Sequence, residues 1–246
     1  MKSRRGFLAT TGAGVLGLAA SKVFAARPPD AGIAGLMTVM RERIKQIRTF
    51  YVACDLRVDG AGAGWSREDL ALNSGSSELA WDGRIFAAIH RRPGFTITEI
   101  EKPDTFKQWI DYEAVAAPRK VIYDGPRANE HRIAFSIGQF LPLPGRDGVE
   151  DGDPVVIRGR STRKIFASHT RFFVDDDSRV NRTERLHPKS AAIVETIDYD
   201  DFTFPLPFIP FPSAVASQKP GQSPLITTVT TVEINASVPR QLPGVE

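Results

Sequence analysis

Residues 44 to 58 run Ile44-Lys45-Gln46-Ile47-Arg48-Thr49-Phe50-Tyr51-Val52-Ala53-Cys54-Asp55-Leu56-Arg57-Val58, and two periods meet inside them. Leading into the run, Ile33, Leu36, Met37, Met40, Ile44 and Ile47 recur at helical spacing, while Arg41, Glu42, Lys45 and Arg48 mostly face away. The spacing predicts an amphipathic helix of about four to five turns, opened by Asp30 as N-cap and ending near Thr49. From Tyr51 the period is two. Val52, Cys54, Leu56 and Val58 share one face, and Tyr51, Ala53, Asp55 and Arg57 the other, as in a half-buried strand with Cys54 on its inner side. A helix with an apolar stripe needs a sheet to lie on.

The rest of the chain supplies one. Short strands are expected around Leu70, at Glu78 to Trp81, Arg84 to His90 and Phe95 to Ile100, with Asp104 to Tyr112 open to helix or strand. Further extended segments are Lys120 to Tyr123, Arg132 to Ile137, Val155 to Arg158, Arg163 to Ser168, Ala192 to Tyr199 and Ile226 to Ile234. Thr170 to Val174 and Arg179 to Leu186 read as a hairpin turning at Asp175 to Ser178. There is no internal repeat and no linker. The pattern predicts an α+β fold: a strongly curved antiparallel sheet of about ten strands with one or two helices over it.

One stretch resists this pattern: Phe202-Thr203-Phe204-Pro205-Leu206-Pro207-Phe208-Ile209-Pro210-Phe211-Pro212. Its prolines argue against a helix and against a central strand, because each lacks a backbone donor. The expectation is a stiff extended connector outside any ladder. Its phenylalanines, Leu206 and Ile209 need an apolar partner, which is the protein's own core, a greasy ligand, or a membrane or protein surface.

The N-terminus reads as an export signal. Lys2, Arg4 and Arg5 precede a weakly hydrophobic stretch to Ala20, and Ser3-Arg4-Arg5-Gly6-Phe7-Leu8 matches the twin-arginine pattern. Cleavage is expected after Ala25, leaving residues 26 to 246 as one domain in the periplasm or outside the cell. Gly12-Ala13-Gly14-Val15-Leu16-Gly17 fits G-x-G-x-x-G, but no strand precedes it, so it is not a dinucleotide site. The whole chain carries a formal charge of +3, yet the signal holds four basic residues and no acids. What remains has 28 basic and 29 acidic residues, which gives no reason to expect a nucleic-acid partner. No later stretch is long and apolar enough for a transmembrane helix. Cys54 is the single cysteine, so no internal disulfide can form.

Candidate chemistry is thin. His90, His131, His169 and His187 are scattered and fit no zinc spacing, although His90 and His169 could meet in space. There is no G-x-S-x-G elbow and no base identifiable for Cys54. The acids cluster at Asp147 to Asp153, Asp175 to Asp177 and Asp198 to Asp201, where solvated turns explain them. No catalytic residue, metal ligand or cofactor is expected. A hydrolase built on these acids and His169 is the weakest alternative.

Four stretches carry a family resemblance: Ile44 to Tyr51 as helix-to-strand entry, Val121-Ile122-Tyr123-Asp124-Gly125, the hairpin Phe172 to Arg182, and Thr230 to Asn235 with Val238-Pro239. Together, over roughly residues 30 to 240, they resemble the LolA-type periplasmic lipoprotein carriers and the lipoprotein-sorting proteins related to them. The resemblance implies a half-barrel sheet closed by helices over a hydrophobic cavity for acyl chains, hence a non-enzymatic carrier of a lipid or acylated protein. The twin-arginine signal departs from that family, whose members usually leave by the general secretory route. On this basis Leu36, Met40 and Ile44 of the helix, with Phe204, Leu206, Phe208, Ile209 and Phe211 of the Phe/Pro stretch, are the residues expected to line the cavity or its lid. An envelope interaction module on the same fold is the main alternative, with Phe208 and Phe211 as its protein contact.

Overall fold

The computed structural model describes residues 32–60, 62–113, 119–126, 137–145, 147–150, 152–237 and 242. The chain separates into two units, Met1–Gly32 and Ile33–Glu246. The export signal, Asp30, His131 and residues 132–136 of an expected strand lie outside the described residues.

Helix α1 (Ile33–Lys45) leads into β1 (Phe50–Val58), and after helix α2 (Arg67–Leu72) come β2 (Gly75–Trp81), β3 (Phe86–Arg92), β4 (Phe95–Glu101), β5 (Thr105–Tyr112) and β6 (Lys120–Pro126). A connection containing a helical turn at 137–140 precedes β7 (Val149–Glu150), β8 (Val155–Ile157), β9 (Arg160–Ala167), β10 (Thr170–Asp175) and β11 (Val180–Leu186). The chain ends with β12 (Ile193–Leu206), β13 (Ile209–Gln218) and β14 (Leu225–Ile234). All 14 strands form one antiparallel sheet in the order β6-β5-β4-β3-β2-β1-β14-β13-β12-β11-β10-β9-β7, with β8 beside β9. Two meanders are therefore sewn together by a single long-range pairing, β1 to β14. Asn235 reinforces that seam by accepting from Arg48 N at 2.6 Å and Thr49 N at 3.2 Å and donating to Gln46 O at 2.7 Å.

The sheet is rolled into an open half-barrel. Nine successive strands from β4 to β10 would span about 38 Å if flat, yet side chains from both ends of that series line one common void. Register shifts at Ala53/Cys54, Phe173/Val174 and Arg185/Leu186 place bulges along the roll, where an extra residue bends a strand.

Helix α1 fills one end of the roll. Its Leu36, Met37 and Met40 are buried in a cluster with Val52, Phe86, Ile165, Val174 and Phe211, which all belong to the concave face. Arg41 and Arg43 fasten the helix to its surroundings, donating to Gly145 O at 3.1 Å and to Asp177 O at 3.0 Å. The helix stops at Lys45, earlier than expected, although Ile47 stays buried beyond it. On the convex face Tyr51, Ala80, Ala87 and Ile89 are covered in a small separate cluster with Leu242.

Two sequence expectations fail. The segment around Leu70 is helix α2 rather than a strand, because Ser66 caps it. Its hydroxyl accepts from Asp69 N at 3.0 Å and donates to an Asp69 carboxylate oxygen at 2.7 Å, an N-cap that Ser66-Arg67-Glu68-Asp69 spells out.

The Phe/Pro stretch is not a connector outside the ladder. It is the tip of the β12–β13 hairpin, paired as Phe202 with Pro212, Thr203 with Phe211 and Leu206 with Ile209. Strand β11 pairs β12 only up to Asp198, and β14 pairs β13 only from Ala214. The hairpin therefore overhangs both neighbours. Pro205, Pro210 and Pro212 sit where a second ladder is not required, which is the condition under which a strand tolerates proline.

Candidate functional site: a trough plugged at one end

Strand register fixes how the concave face is graded. Cys54 pairs with Ser77, and Ser77 with His90, so three side chains stand in a row across β1, β2 and β3. On the other wall Thr170 pairs with Arg185 and Arg185 with Glu195, while Ile197 pairs with Ser217 and Ser217 with Leu225. These residues lie at the end of the roll away from α1. There the sheet encloses a void of about 710 Å³. Its apolar lining comes from Leu56, Leu79, Ala88, Phe172, Ile197 and Val215, with Tyr199 deep on β12. From the described part of the connection between β6 and β7, Phe140, Pro142 and Leu143 lie against it. Phe140 is anchored by stacking on Phe211, with ring centroids 5.2 Å apart.

Polar groups gather near the mouth. Arg185 donates to Glu195 Oε2 at 2.9 Å, and Ser217 donates to Glu195 Oε1 at 2.8 Å, a network closed on itself. On the opposite wall Arg92 donates from Nε to Leu72 O at 2.7 Å, from one terminal nitrogen to Ser76 O and Arg91 O, and from the other to Ser77 Oγ at 3.2 Å. Ser77 Oγ also lies 2.9 Å from His90 Nδ1. Burial, then the charge of Arg92, depress the His90 pKa from 6.5 to about 4, so the imidazole is neutral at physiological pH. Burial pushes the Cys54 thiol up to about 11, with the Arg92 charge opposing, which makes it a poor nucleophile. Burial likewise pushes the Tyr199 phenol up to about 12.

The residues singled out from sequence fall elsewhere. Leu36 is wholly buried in the plug. Met40, Ile44 and Ile209 line a separate cleft of about 40 Å³ between α1 and the hairpin. Leu206 packs on the main core, and Phe208 is half-buried at the hairpin turn. Phe204 is 54% exposed, and Phe211, at 3%, offers no surface to a partner. None of the eight lines the larger void. What does line it follows strand alternation, and its signal was a run of small or polar residues on an inward face: Ser77, Ala88, Ser217 and Thr227. Such positions leave space where Leu or Phe would fill it.

Of the described histidines, only His90 reaches the void. His169 sits in the exposed β9–β10 turn at φ 60°, and His187 in the exposed turn after β11. The acids of Asp175 and Asp198 are held by arginines, Asp175 by Arg179 at 2.8 Å and Asp198 by Arg182 at 2.7 Å. Among the described residues no three metal-ligating side chains gather in one place, and no helix is long and apolar enough to cross a membrane.

No family model matches the sequence, and no curated protein is similar to it. Among solved structures the chain is similar to a DUF1329 family protein from Desulfovibrio piger, at 8% identity and a TM-score of 0.49, over 82% of this chain and 92% of that one. It is similar at 10% identity, with the same TM-score, to a proposed outer membrane lipoprotein-sorting protein domain from Vibrio parahaemolyticus, over 82% and 93%. A third likeness is to the Mycobacterium tuberculosis lipoprotein LppX, at 10% identity and a TM-score of 0.31, over 84% and 100%. At these identities the likeness is one of chain path.

Proposed function

We propose that this protein binds and carries an amphipathic lipid, free or attached to a protein, in the trough of its half-barrel. The observation that carries this is the grading of the 710 Å³ void from aliphatic walls near the plug to polar groups at the mouth. Its size lies within the ~300–1,000 Å³ range of ligand sites. At ~30 Å³ per liquid-packed heavy atom it holds on the order of two dozen atoms, enough for an acyl chain with its head. Each methylene taken from water into such a place contributes about 0.8 kcal/mol. The thiol of Cys54, pushed up to about 11 by burial, stays protonated in the trough. Export through the twin-arginine route belongs to the same proposal and is supported by Ser3 to Leu8 and by the small residues before Ala25.

Delipidated protein titrated with a fluorescent fatty acid tests binding. Saturable uptake is expected, displaced by unlabelled chains and lost in Ala88→Phe, which fills the void from β3. No saturable uptake by correctly folded protein would overturn the proposal. Export is tested separately by fractionation, where Arg4→Lys with Arg5→Lys should retain the protein inside the cell.

A further inference from the structure

Among the described residues two arginines, Arg92 and Arg185, line the trough, and their surroundings differ. Arg185 is neutralised by Glu195. Arg91, on the opposite face of β3, is paired with Glu78. The four hydrogen bonds of Arg92 go instead to three carbonyl oxygens and a hydroxyl, all neutral, and no carboxylate among the described residues pairs with it. A guanidinium has five N–H donors. Those bonds occupy Nε–H, both hydrogens of one terminal nitrogen and one of the other, which leaves one N–H and the full charge. The head is also fixed, because its anchors are backbone oxygens at the end of α2 and along β2 and β3, so little ordering is needed when an anion arrives.

Ser77 extends the site. Its hydroxyl oxygen accepts from Arg92, so its own hydrogen is directed to His90 Nδ1. The neutral imidazole then carries its hydrogen on Nε2, and among the described residues the ring makes no other hydrogen bond. Arg92 is the last residue of β3, and the apolar wall begins at Ala88, about 13 Å further in at ~3.3 Å per residue. Glu99 and Glu195 also face the void, and Glu195 is committed to Arg185 and Ser217, while Glu99 accepts from Gln108 at 2.7 Å.

We propose that Arg92 and His90 form an oxyanion seat at the mouth of the trough, which takes the carboxylate or phosphate head of the amphiphile whose chain lies along the apolar walls. This rests on the binding function proposed above and adds to it a preference for negatively charged over uncharged lipids. Partial exclusion of water strengthens the pairing of such a head with Arg92 relative to an exposed pair.

Palmitate, hexadecanol and inorganic phosphate, each titrated into delipidated wild-type protein at pH 7, give the test. Palmitate is expected to bind at least tenfold tighter than hexadecanol and to move the His90 ring resonances, with His90 titrating at higher pH once an anion offsets the Arg92 charge. Arg92→Met should remove the preference by weakening palmitate and leaving hexadecanol unchanged. Should that variant not fold, the comparison of palmitate with hexadecanol on wild-type protein decides alone. Equal affinity for the two chains overturns the seat and leaves the carrier function standing. Binding of neither overturns both. If phosphate occupies the site and palmitate fails to displace it, the seat serves a small free anion and the headgroup assignment is overturned.

Discussion

At one end of the rolled sheet Val52, Phe86, Val174 and Phe211 close on Leu36, Met37 and Met40; at the other, Ser77, His90, Arg92, Arg185, Glu195 and Ser217 surround a void. The same strands build both. Along β3 the inward series is Phe86, Ala88, His90 and Arg92, so the change from packed core to open trough takes place within one strand. Along β13 it is Phe211, Ser213, Val215 and Ser217. Large apolar side chains and a helix stabilise the first end. Small and polar side chains leave the second unfilled, and the packed end holds the strands in place around it. Packed core and open space are thus divided along the strand direction rather than between domains.

That division can be broken most strongly at the plug. Leu36→Ala removes a wholly buried side chain from a packed cluster and is expected to cost roughly 3–5 kcal/mol of stability. Urea denaturation measures it, and lipid affinity of the protein that remains folded should be unchanged. A loss below about 1 kcal/mol would mean that the plug is looser than its packing indicates.

The mouth has its own pH signature. His90 is depressed from 6.5 to about 4 by burial and the Arg92 charge, so folding favours its neutral form. Its contribution is complete above pH 6.5, falls as the pH drops through that value because the unfolded state takes up the proton first, and is gone below pH 4. The size is on the order of 3 kcal/mol. His90→Gln should flatten this part of the stability profile between pH 6.5 and 4 relative to wild type, as read by denaturation at a series of pH values. Parallel profiles would show that the imidazole is not shielded.

The trough wall separates the two properties most sharply. Val215→Phe grows into open space, so stability should shift by no more than about 1 kcal/mol, while acyl-chain binding falls at least tenfold, or about 1.4 kcal/mol. Calorimetric Tm and fluorescent-lipid titration read the two effects on one sample. A large loss of Tm would show that the wall is already close-packed. The smallest effect is expected on the outer side of α1. There the Glu42–Lys45 pair lies at 2.7 Å but is exposed, with side-chain accessibilities of 48% and 70%. Glu42→Ala should change stability by less than about 0.5 kcal/mol and leave binding alone.

Local periodicity made much of the architecture legible. The inward series of β1 was read directly as Val52, Cys54 and Leu56, and the hairpin of β10 and β11 with its turn at Asp175 was visible as two extended runs around an acidic turn. The Phe/Pro stretch was misjudged because a proline was weighed against the ladder on both sides of its strand. Whether both sides are needed depends on where β11 and β14 end, which lies far away in the chain. The site was the least legible part. Apolar content drew attention to Phe204, Phe208 and Phe211, but apolar residues that pack together fill space, and a void occurs where bulk is missing.

The amino-acid sequence by itself determined an amphipathic helix ahead of a long antiparallel series, the inner face of β1, and the absence of an internal disulfide, because these follow from spacing and composition within a few residues. Tertiary structure alone decided the rest. It sewed β1 to β14, rolled the sheet until β4 and β10 faced one space, and brought Ser77, His90 and Arg92 to the mouth without a carboxylate for Arg92. Strand alternation says only which side a residue faces. What stands opposite it depends on how far the whole sheet has curled, and that is summed over every strand between them.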